Sequence, residues 1–145
     1  MQNLLDKAFE IANTEDVSTI TNNAIVYSVS FMPNSKNKEL ALEYISKNPD
    51  AKTLDHTPCG KKLIELGLNG KVNEVSHKIT EIWKIASKRY IDNASGNIIA
   101  FVDGVDIRST FYTTELKQIL KNEKISTING IEKHLYALNL KTYKY

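Results

Sequence analysis

The segment from Val72 to Ile91 restricts the fold more than any other part of this sequence. Its apolar residues recur at intervals of three and four, which puts them on one face of an α-helix. A helix of this length with one apolar face must pack that face against a second layer of the domain. The pattern therefore predicts a long helix, ending before Gly96, with this apolar face: Val72, Val75, Ile79, Ile82, Trp83, Ala86 and Tyr90.

Short apolar segments between the helical patterns predict strands. β-branched and aromatic residues are concentrated in "AIVYSVSF" (24–31), "NIIAFV" (97–102), "STFYTTE" (109–115) and "ISTINGI" (125–131). Further helices are predicted over 2–12, 36–48, 61–68 and 116–122, with Ser35 capping the second of these four. The alternation predicts an α/β fold, with a helical N-terminal part packed on a small, largely parallel sheet that helices flank. We expect one domain over 1–145: about 1–50 is mostly helical with one strand, and about 51–145 is the α/β catalytic part.

The composition is that of a globular domain held together by packing. Of the 145 residues, 41% are hydrophobic and 25% are charged, which excludes a disordered chain. The net charge is only +2 and the basic residues are scattered, so no nucleic-acid partner is expected. No apolar run approaches the roughly 18 residues of a membrane span. The single cysteine, Cys59, cannot form an internal disulfide and is expected to be a small buried hydrophobe.

Several kinds of catalytic site are disfavoured by the sequence. The histidines His56, His77 and His134 fall in unrelated segments, and neither HxxxH nor CxxC occurs, so no metal is expected. The sequence also has no G-x-S-x-G, P-loop or G-x-G-x-x-G motif. A Ser/His/Asp triad stays open, because such triads are recognised by geometry.

The remaining candidates are a carboxylate, an aromatic ring and hydroxyl groups at the ends of predicted elements. Glu115 ends a segment rich in hydroxyl and aromatic residues, which suits the stabilisation of an oxocarbenium-like sugar. Trp83 and Ser87 are neighbours on one helix face because they are four residues apart. The residues alone leave two alternatives open. By themselves the residues favour Trp83 as a core residue bonded to a carbonyl, and Glu115 as an ordinary surface residue at a helix start is equally compatible with them.

Two linked motifs resemble the ADP-ribosyl cyclase family, whose members cleave NAD at the nicotinamide–ribose bond. "IWKIASKRYIDNASGNIIAFVDG" (82–104) is similar to its W-K-x-x-S-x-R-[FY] helix and the strand that follows, and "STFYTTEL" (109–116) to its S-T-F-x-x-x-E segment. Upstream, "KTLDHTPCGKKLIELGL" (52–68) is similar to a segment of the family and of bacterial toxin domains at the C-termini of contact-dependent inhibition proteins. The resemblance spans about residues 24 to 130 and implies an ADP-ribosyl cyclase-like fold.

The resemblance implies three catalytic residues. Glu115 matches the glutamate that holds the ribose hydroxyls and stabilises the oxocarbenium ion as nicotinamide leaves. Trp83 matches the tryptophan that stacks on nicotinamide, and Ser87 matches the serine that lies against the reacting ribose.

The resemblance also implies five residues that bind substrate. Thr110 and Phe111 match contacts to the pyrophosphate. Asp55 occupies the place of a glutamate that reads the carboxamide and biases cyclisation against hydrolysis. Tyr27 and Ser28 occupy the place of an aromatic–Ser pair on the opposite wall.

The sequence departs from the family pattern at the phosphate-binding position. Val29 stands where the family has an arginine that grips phosphate, so the phosphate-binding cation must lie elsewhere. Lys36, Lys38 and Arg108 are the candidates. Tyr27 also replaces a tryptophan, and Asp55 is one methylene shorter than the usual acid. These two changes bear more on cyclisation than on hydrolysis.

The resemblance predicts an NAD(P)+ glycohydrolase toxin domain with cyclisation as a side reaction. NAD+ or NADP+ is the expected substrate, and no cofactor is expected. The domain is expected to be delivered as part of a larger secreted or cell-surface protein and to act in the target-cell cytoplasm. A cognate immunity protein is expected to plug the cleft that holds Trp83 and Glu115, with Trp83 only partly buried. The alternatives are a tRNA-cleaving toxin of the same delivery system and a non-catalytic binding module with this fold.

Overall fold

A computed structural model describes residues 2–29, 32, 34–68 and 76–141. Four strands form one sheet in the order β1 (Ala24–Tyr27), β2 (Gly96–Phe101), β3 (Ile125–Ile128) and β4 (Ile131–Glu132). The first three strands are parallel, with Ala24 beside Ile98 in the first pair, and β4 runs antiparallel to β3. The predicted α/β class with a small, largely parallel sheet is therefore confirmed.

Helices surround this sheet. The described α-helices are α1 (Gln2–Thr14), α2 (Asn37–Lys47), α3 (Pro58–Glu65), α4 (Ser76–Asp92), α5 (Leu116–Lys121) and α6 (Lys133–Leu138). A 3₁₀ turn (Leu54–His56) precedes α3, and a π-helix (Phe111–Glu115) leads directly into α5. The strand of the N-terminal part, β1, pairs with β2, so both parts of the chain share one sheet.

The long amphipathic helix is present as α4. Its apolar face is buried, as predicted, and packs with α1 in the main core; the buried residues on that face are Ile79, Ile82, Ala86 and Tyr90. Val72 and Val75 lie outside the described residues. The Tyr90 hydroxyl donates to the Ile25 carbonyl at 2.9 Å and accepts from the Ile25 N–H at 2.9 Å. These bonds fix α4 against β1, which sets the distance between two walls of the site.

The strand predicted for 109–115 is wrong, because this segment forms a turn and the π-helix. The Ser109 hydroxyl accepts from the Tyr112 N–H at 3.1 Å, and the Ser109 carbonyl accepts from the Thr113 N–H at 2.9 Å and its hydroxyl at 2.8 Å. These local bonds compete with pairing to a neighbouring strand and override the β preference of the aromatic and β-branched residues. Glu115 therefore ends a π-helix rather than a strand.

Other element boundaries differ by a few residues. The first strand ends at Tyr27, and residues 30 and 31 of its predicted extension lie outside the described residues. Helix α2 has Lys36 at its N-cap position, although the Ser35 hydroxyl accepts from the Asn37 N–H at 3.2 Å. The predicted strand 125–131 is divided into β3 and β4 by a turn at Asn129 and Gly130, which have φ of 51° and 77°.

Candidate active site

A cavity of about 540 Å³ opens where β1 ends. In open α/β sheets, ligands bind beyond the carboxyl ends of parallel strands. All eight residues predicted for the site line this cavity: Tyr27, Ser28, Asp55, Trp83, Ser87, Thr110, Phe111 and Glu115. They come from the end of β1, the 3₁₀ turn, α4 and the π-helix. The structure thus brings every predicted site residue together, and their individual roles stay predictions.

Glu115 is a buried carboxyl in the wall of the cavity. Only 8% of the residue is exposed, and it ends the π-helix, in which the Leu116 N–H donates to the Phe111 carbonyl. π-Helical turns are frequent at functional sites. Burial raises the pKa of Glu115, a hydrogen bond with the Ser87 side chain lowers it, and the negative charge of Asp55 adds a smaller rise, so that the pKa lies at about 7. Glu115 is therefore poised to change its charge near neutral pH.

Trp83 and Ser87 form the helix wall of the cavity. Trp83 is half-buried, as expected, and its indole N–H donates to the Leu68 carbonyl. The ring packs against the core, as the core interpretation predicts, and it also lines the cavity, so its stacking on a substrate stays a prediction. Ser87 lies one turn further along α4 and is 5% exposed.

The 3₁₀ turn holds Asp55 in the cavity wall. The Tyr27 hydroxyl donates to Asp55 Oδ2 at 2.8 Å. The Thr57 hydroxyl closes the turn by donating to the Leu54 carbonyl and accepts from the Gly60 N–H at the start of α3. A β-carbon on Gly60 would lie 2.0 Å from the Leu54 carbonyl oxygen. The "TPCG" segment thus has a structural reason, since only glycine lets α3 pack this closely against the turn.

Ser28 presents an unpaired hydroxyl at the end of β1. The residue is 5% exposed, and its Oγ has no hydrogen-bond partner among the described residues. The Asn37 side chain donates to the Ser28 carbonyl at 2.9 Å and so anchors the start of α2 beside it. A buried polar atom without a partner is costly, so a ligand that bonds to it gains affinity.

Phe111 and Thr110 occupy the start of the π-helix. Phe111 is buried in the main core and also contributes to the cavity lining. Thr110 is half-buried and lines the cavity beside it. Among the described lining residues that were not predicted for the site, Thr53 and Thr80 carry hydroxyl groups. The spacing of Thr80, three residues before Trp83 on a helix, is the signal that could have found it.

The structure distinguishes among the three candidate phosphate-binding cations. Lys38, in the first turn of α2, lines the cavity together with Val29. Arg108 Nε donates to Asp106 Oδ1 at 2.9 Å, and its terminal nitrogen donates to Oδ2 at 2.9 Å. Lys36 is exposed and is not among the described residues of the lining. Of the three candidates, Lys38 is therefore the one placed to meet a ligand in this cavity.

A second cavity, of about 590 Å³, lies between α2, the end of β2 and α6. None of the eight predicted residues lines it, and its walls are mainly apolar, including Leu40, Ile131 and Leu135. The cavity at the end of β1 is the better candidate for catalysis because it contains Glu115 and Asp55 together with hydroxyl groups.

Two further searches concern the described part of the chain only. No group of three or more His, Cys, Asp or Glu residues within it is arranged to hold a metal ion. Within the same residues, no helix has the length and apolar character needed to cross a membrane.

Comparison of the fold with solved structures finds ADP-ribosyl cyclases. No protein-family model matches the sequence, and no curated protein is significantly similar to it. Porcine CD38, complexed with the covalent intermediate ribo-F-ribose-5'-phosphate, is similar with a TM-score of 0.61 at 21% identity, covering 96% of this chain and 82% of that one. Aplysia cyclase, complexed with substrate NGD and product cGDPR, is similar with a TM-score of 0.58 at 16% identity, covering 98% of this chain and 76% of that one. An ADP ribosyl cyclase complexed with N1-cIDPR has a TM-score of 0.56 at 17% identity, covering 87% of this chain and 62% of that one.

The chain has the ADP-ribosyl cyclase fold. The fold expected from the two sequence motifs is therefore confirmed. In this chain the ADP-ribosyl cyclase fold has one cysteine, Cys59, which is fully buried as expected and donates its S–H to the Ile11 carbonyl at 3.4 Å. Burial raises the pKa of this thiol, which fits a packing role.

Proposed function

We propose that this protein is an NAD(P)+ glycohydrolase that cleaves the nicotinamide–ribose bond, with cyclisation as a side reaction. The observation that carries the proposal is the cavity in which buried Glu115 lies with Trp83 and Ser87. Support comes from the fold, which is shared with a cyclase complexed with substrate NGD and with porcine CD38 carrying a covalent ribose-phosphate intermediate. No cofactor is needed for this reaction.

The proposed reaction uses the positive charge already present on the substrate. The C1′–N bond breaks, and its electron pair moves to the ring nitrogen and neutralises the pyridinium. Positive charge then develops at C1′, where the ionised Glu115, a buried carboxylate of the cavity wall, stabilises it. Trp83 stacks on the leaving ring and Ser87 supports the ribose. Water adds to C1′ and releases a proton, which gives ADP-ribose.

The charges around the cavity match the two ends of such a substrate. Glu115 and Asp55 provide negative charge for the cationic ring, and Lys38 provides positive charge for the pyrophosphate. The unpaired Ser28 hydroxyl lies near the start of α2, which Asn37 anchors, and is available to bond a phosphate oxygen. We assign phosphate binding to Lys38 for this reason, in place of the arginine that Val29 replaces.

Lys38→Ala is expected to raise the KM for NAD+ about 10-fold with little change in kcat, because a hydrogen-bonded charge contact to phosphate contributes about 1.5 kcal/mol. Steady-state kinetics at two salt concentrations measure the effect, which should shrink at high salt. Lys36→Ala is the matched control, since it removes a lysine two positions away that does not line the cavity. Equal kinetics for the two variants would contradict the assignment.

The proposed function is tested by incubating the purified protein with NAD+ or NADP+ and measuring nicotinamide by chromatography. We expect nicotinamide and ADP-ribose in nearly equal amounts, with a minor cyclic product. A parallel reaction contains tRNA. Intact NAD+ with degraded tRNA would instead support the tRNA-cleaving toxin, and activity on neither substrate would support the binding module.

The biological setting is part of the same proposal. We propose that the chain is the toxin part of a larger secreted or cell-surface protein and depletes NAD in the cytoplasm of a target cell. The support is the similarity of "KTLDHTPCGKKLIELGL" to segments of contact-dependent inhibition toxins. A cognate immunity protein would then protect the producing cell by occupying the cavity. Inhibition of nicotinamide release by the product of an adjacent gene tests this part.

A further inference from the structure

Tyr27 and Asp55 meet on two rigid supports. Tyr27 is the last residue of β1, where it lies beside Phe101 of β2. Asp55 lies in the 3₁₀ turn, where the Thr53 hydroxyl bonds with His56 Nδ1 at 2.6 Å. Among the described residues, the Tyr27 hydroxyl is the hydrogen-bond partner of the Asp55 side chain, at 2.8 Å. Because Asp55 is half-buried, its carboxylate could turn toward solvent without this bond.

Asp55 is the described carboxylate that faces Glu115 across the cavity. The other groups around Glu115 are Ser87 and Tyr90 of α4, Tyr27 at the end of β1, and Lys38 at the rim on α2. Burial, followed by the charge of Asp55, raises the pKa of Tyr27, so its hydroxyl remains a donor at neutral pH. Burial likewise raises the pKa of Tyr90.

We propose that Tyr27 is a positioning residue whose hydroxyl holds the Asp55 carboxylate in the cavity, so that the charge of Asp55 adds to burial in favouring protonated Glu115 while the cavity is empty, and a cationic group that enters favours ionised Glu115. Two carboxylates that share a cavity resist double ionisation, and the more deeply buried one takes the proton. A pyridinium ring adds positive charge between them and favours the doubly ionised state. The inference deepens the proposed function and rests on it only for its kinetic consequence.

The positioning role predicts a direction for Tyr27→Phe. Without the hydroxyl, Asp55 turns toward water and its charge acts less on Glu115, so Glu115 ionises at lower pH. We expect the pH at which Glu115 is half ionised in the free protein to fall by about 0.5 of a pH unit or more. Asp55→Asn removes the charge itself and should lower the midpoint at least as far.

The experiment follows side-chain carboxyl ¹³C shifts of the free protein during a pH titration, with the Glu115 signal assigned by its loss in Glu115→Gln. Tyr44→Phe is the matched control, because Tyr44 is also half-buried but packs on Phe101 away from the cavity. It should titrate like the wild type. Tyr27→Phe is also made in the Asp55→Asn background, where it should cause no further shift because its effect acts through Asp55.

The kinetic readout is the pH dependence of kcat/KM for NAD+. Protonated Glu115 cannot supply negative charge, so activity should rise with pH through about 7, and Tyr27→Phe should move this rise to lower pH. Unchanged Glu115 titration in Tyr27→Phe, or additive shifts in the double variant, would overturn the inference. If the titration shifts as expected but NAD+ is not cleaved, the positioning of Asp55 by Tyr27 is supported and the proposed function is wrong.

Discussion

Glu115→Gln is expected to lower kcat for nicotinamide release from NAD+ by about 10³-fold, because loss of one preorganised charge-stabilising group at the reacting centre costs about that much. The amide has the shape of the carboxyl but carries no charge for the cation at C1′. Since Glu115 lies at the buried end of the cavity and Lys38 at the rim, KM should change far less than kcat. Stopped-time assays over a range of NAD+ concentrations measure both constants.

The control for this variant is Glu123→Gln, which removes an exposed carboxylate that does not line the cavity. It should retain wild-type kinetics. Circular dichroism at the assay temperature checks that both variants are folded. Turnover by Glu115→Gln within a few-fold of wild type would show that the reaction, if present, does not depend on this carboxylate.

The same substitution is expected to stabilise the protein at high pH. The pKa of Glu115 in the folded state is raised to about 7 from an ordinary value of 4.5. Between these two values the folded state binds the proton more tightly than the unfolded state, so the free energy of unfolding falls as pH rises. Glutamine does not titrate, and it therefore avoids the cost of placing a charge in a buried site.

The expected gain is about 1–3 kcal/mol at pH 8 and close to zero at pH 4.5, where the wild-type carboxyl is already protonated. For a chain of this size, it corresponds to about 3–10 °C in melting temperature. Thermal melts of wild type, Glu115→Gln and Glu123→Gln at both pH values measure it, and they require no substrate. A lower melting temperature for Glu115→Gln than for wild type at pH 8 would show that the ionised carboxylate does not destabilise the folded protein.

A substitution that stabilises the protein but removes its activity indicates that the original residue serves catalysis rather than stability. Function often requires a site that is less stable than the fold alone would allow. The stability measurement therefore gives evidence about Glu115 that is independent of the NAD+ assay.

The sequence predicted most of the regular structure because the relevant signals are local. The three- and four-residue period of α4 follows from burial of one helix face, and the apolar segments of β1 and β2 follow from the same requirement in a sheet. The prediction was wrong at 109–115, where aromatic and β-branched residues indicated a strand. The hydroxyl and carbonyl of Ser109 decide that segment, since they bind backbone groups that a strand would need for pairing.

The sequence alone determined which residues belong together, through the spacing of Trp83 and Ser87 and the motif that ends in Glu115. It could not determine their environment, because burial and charge depend on contacts between residues far apart in the chain. The family resemblance already predicted Asp55, 60 positions before Glu115, for the same site, but only the tertiary structure showed that it is bonded to Tyr27. Only the tertiary structure also selected Lys38 over Arg108, because it shows that Lys38 lines the cavity while Arg108 pairs with Asp106. Motif spacing thus identified the candidate residues, and long-range packing set the charge that each of them carries into the site.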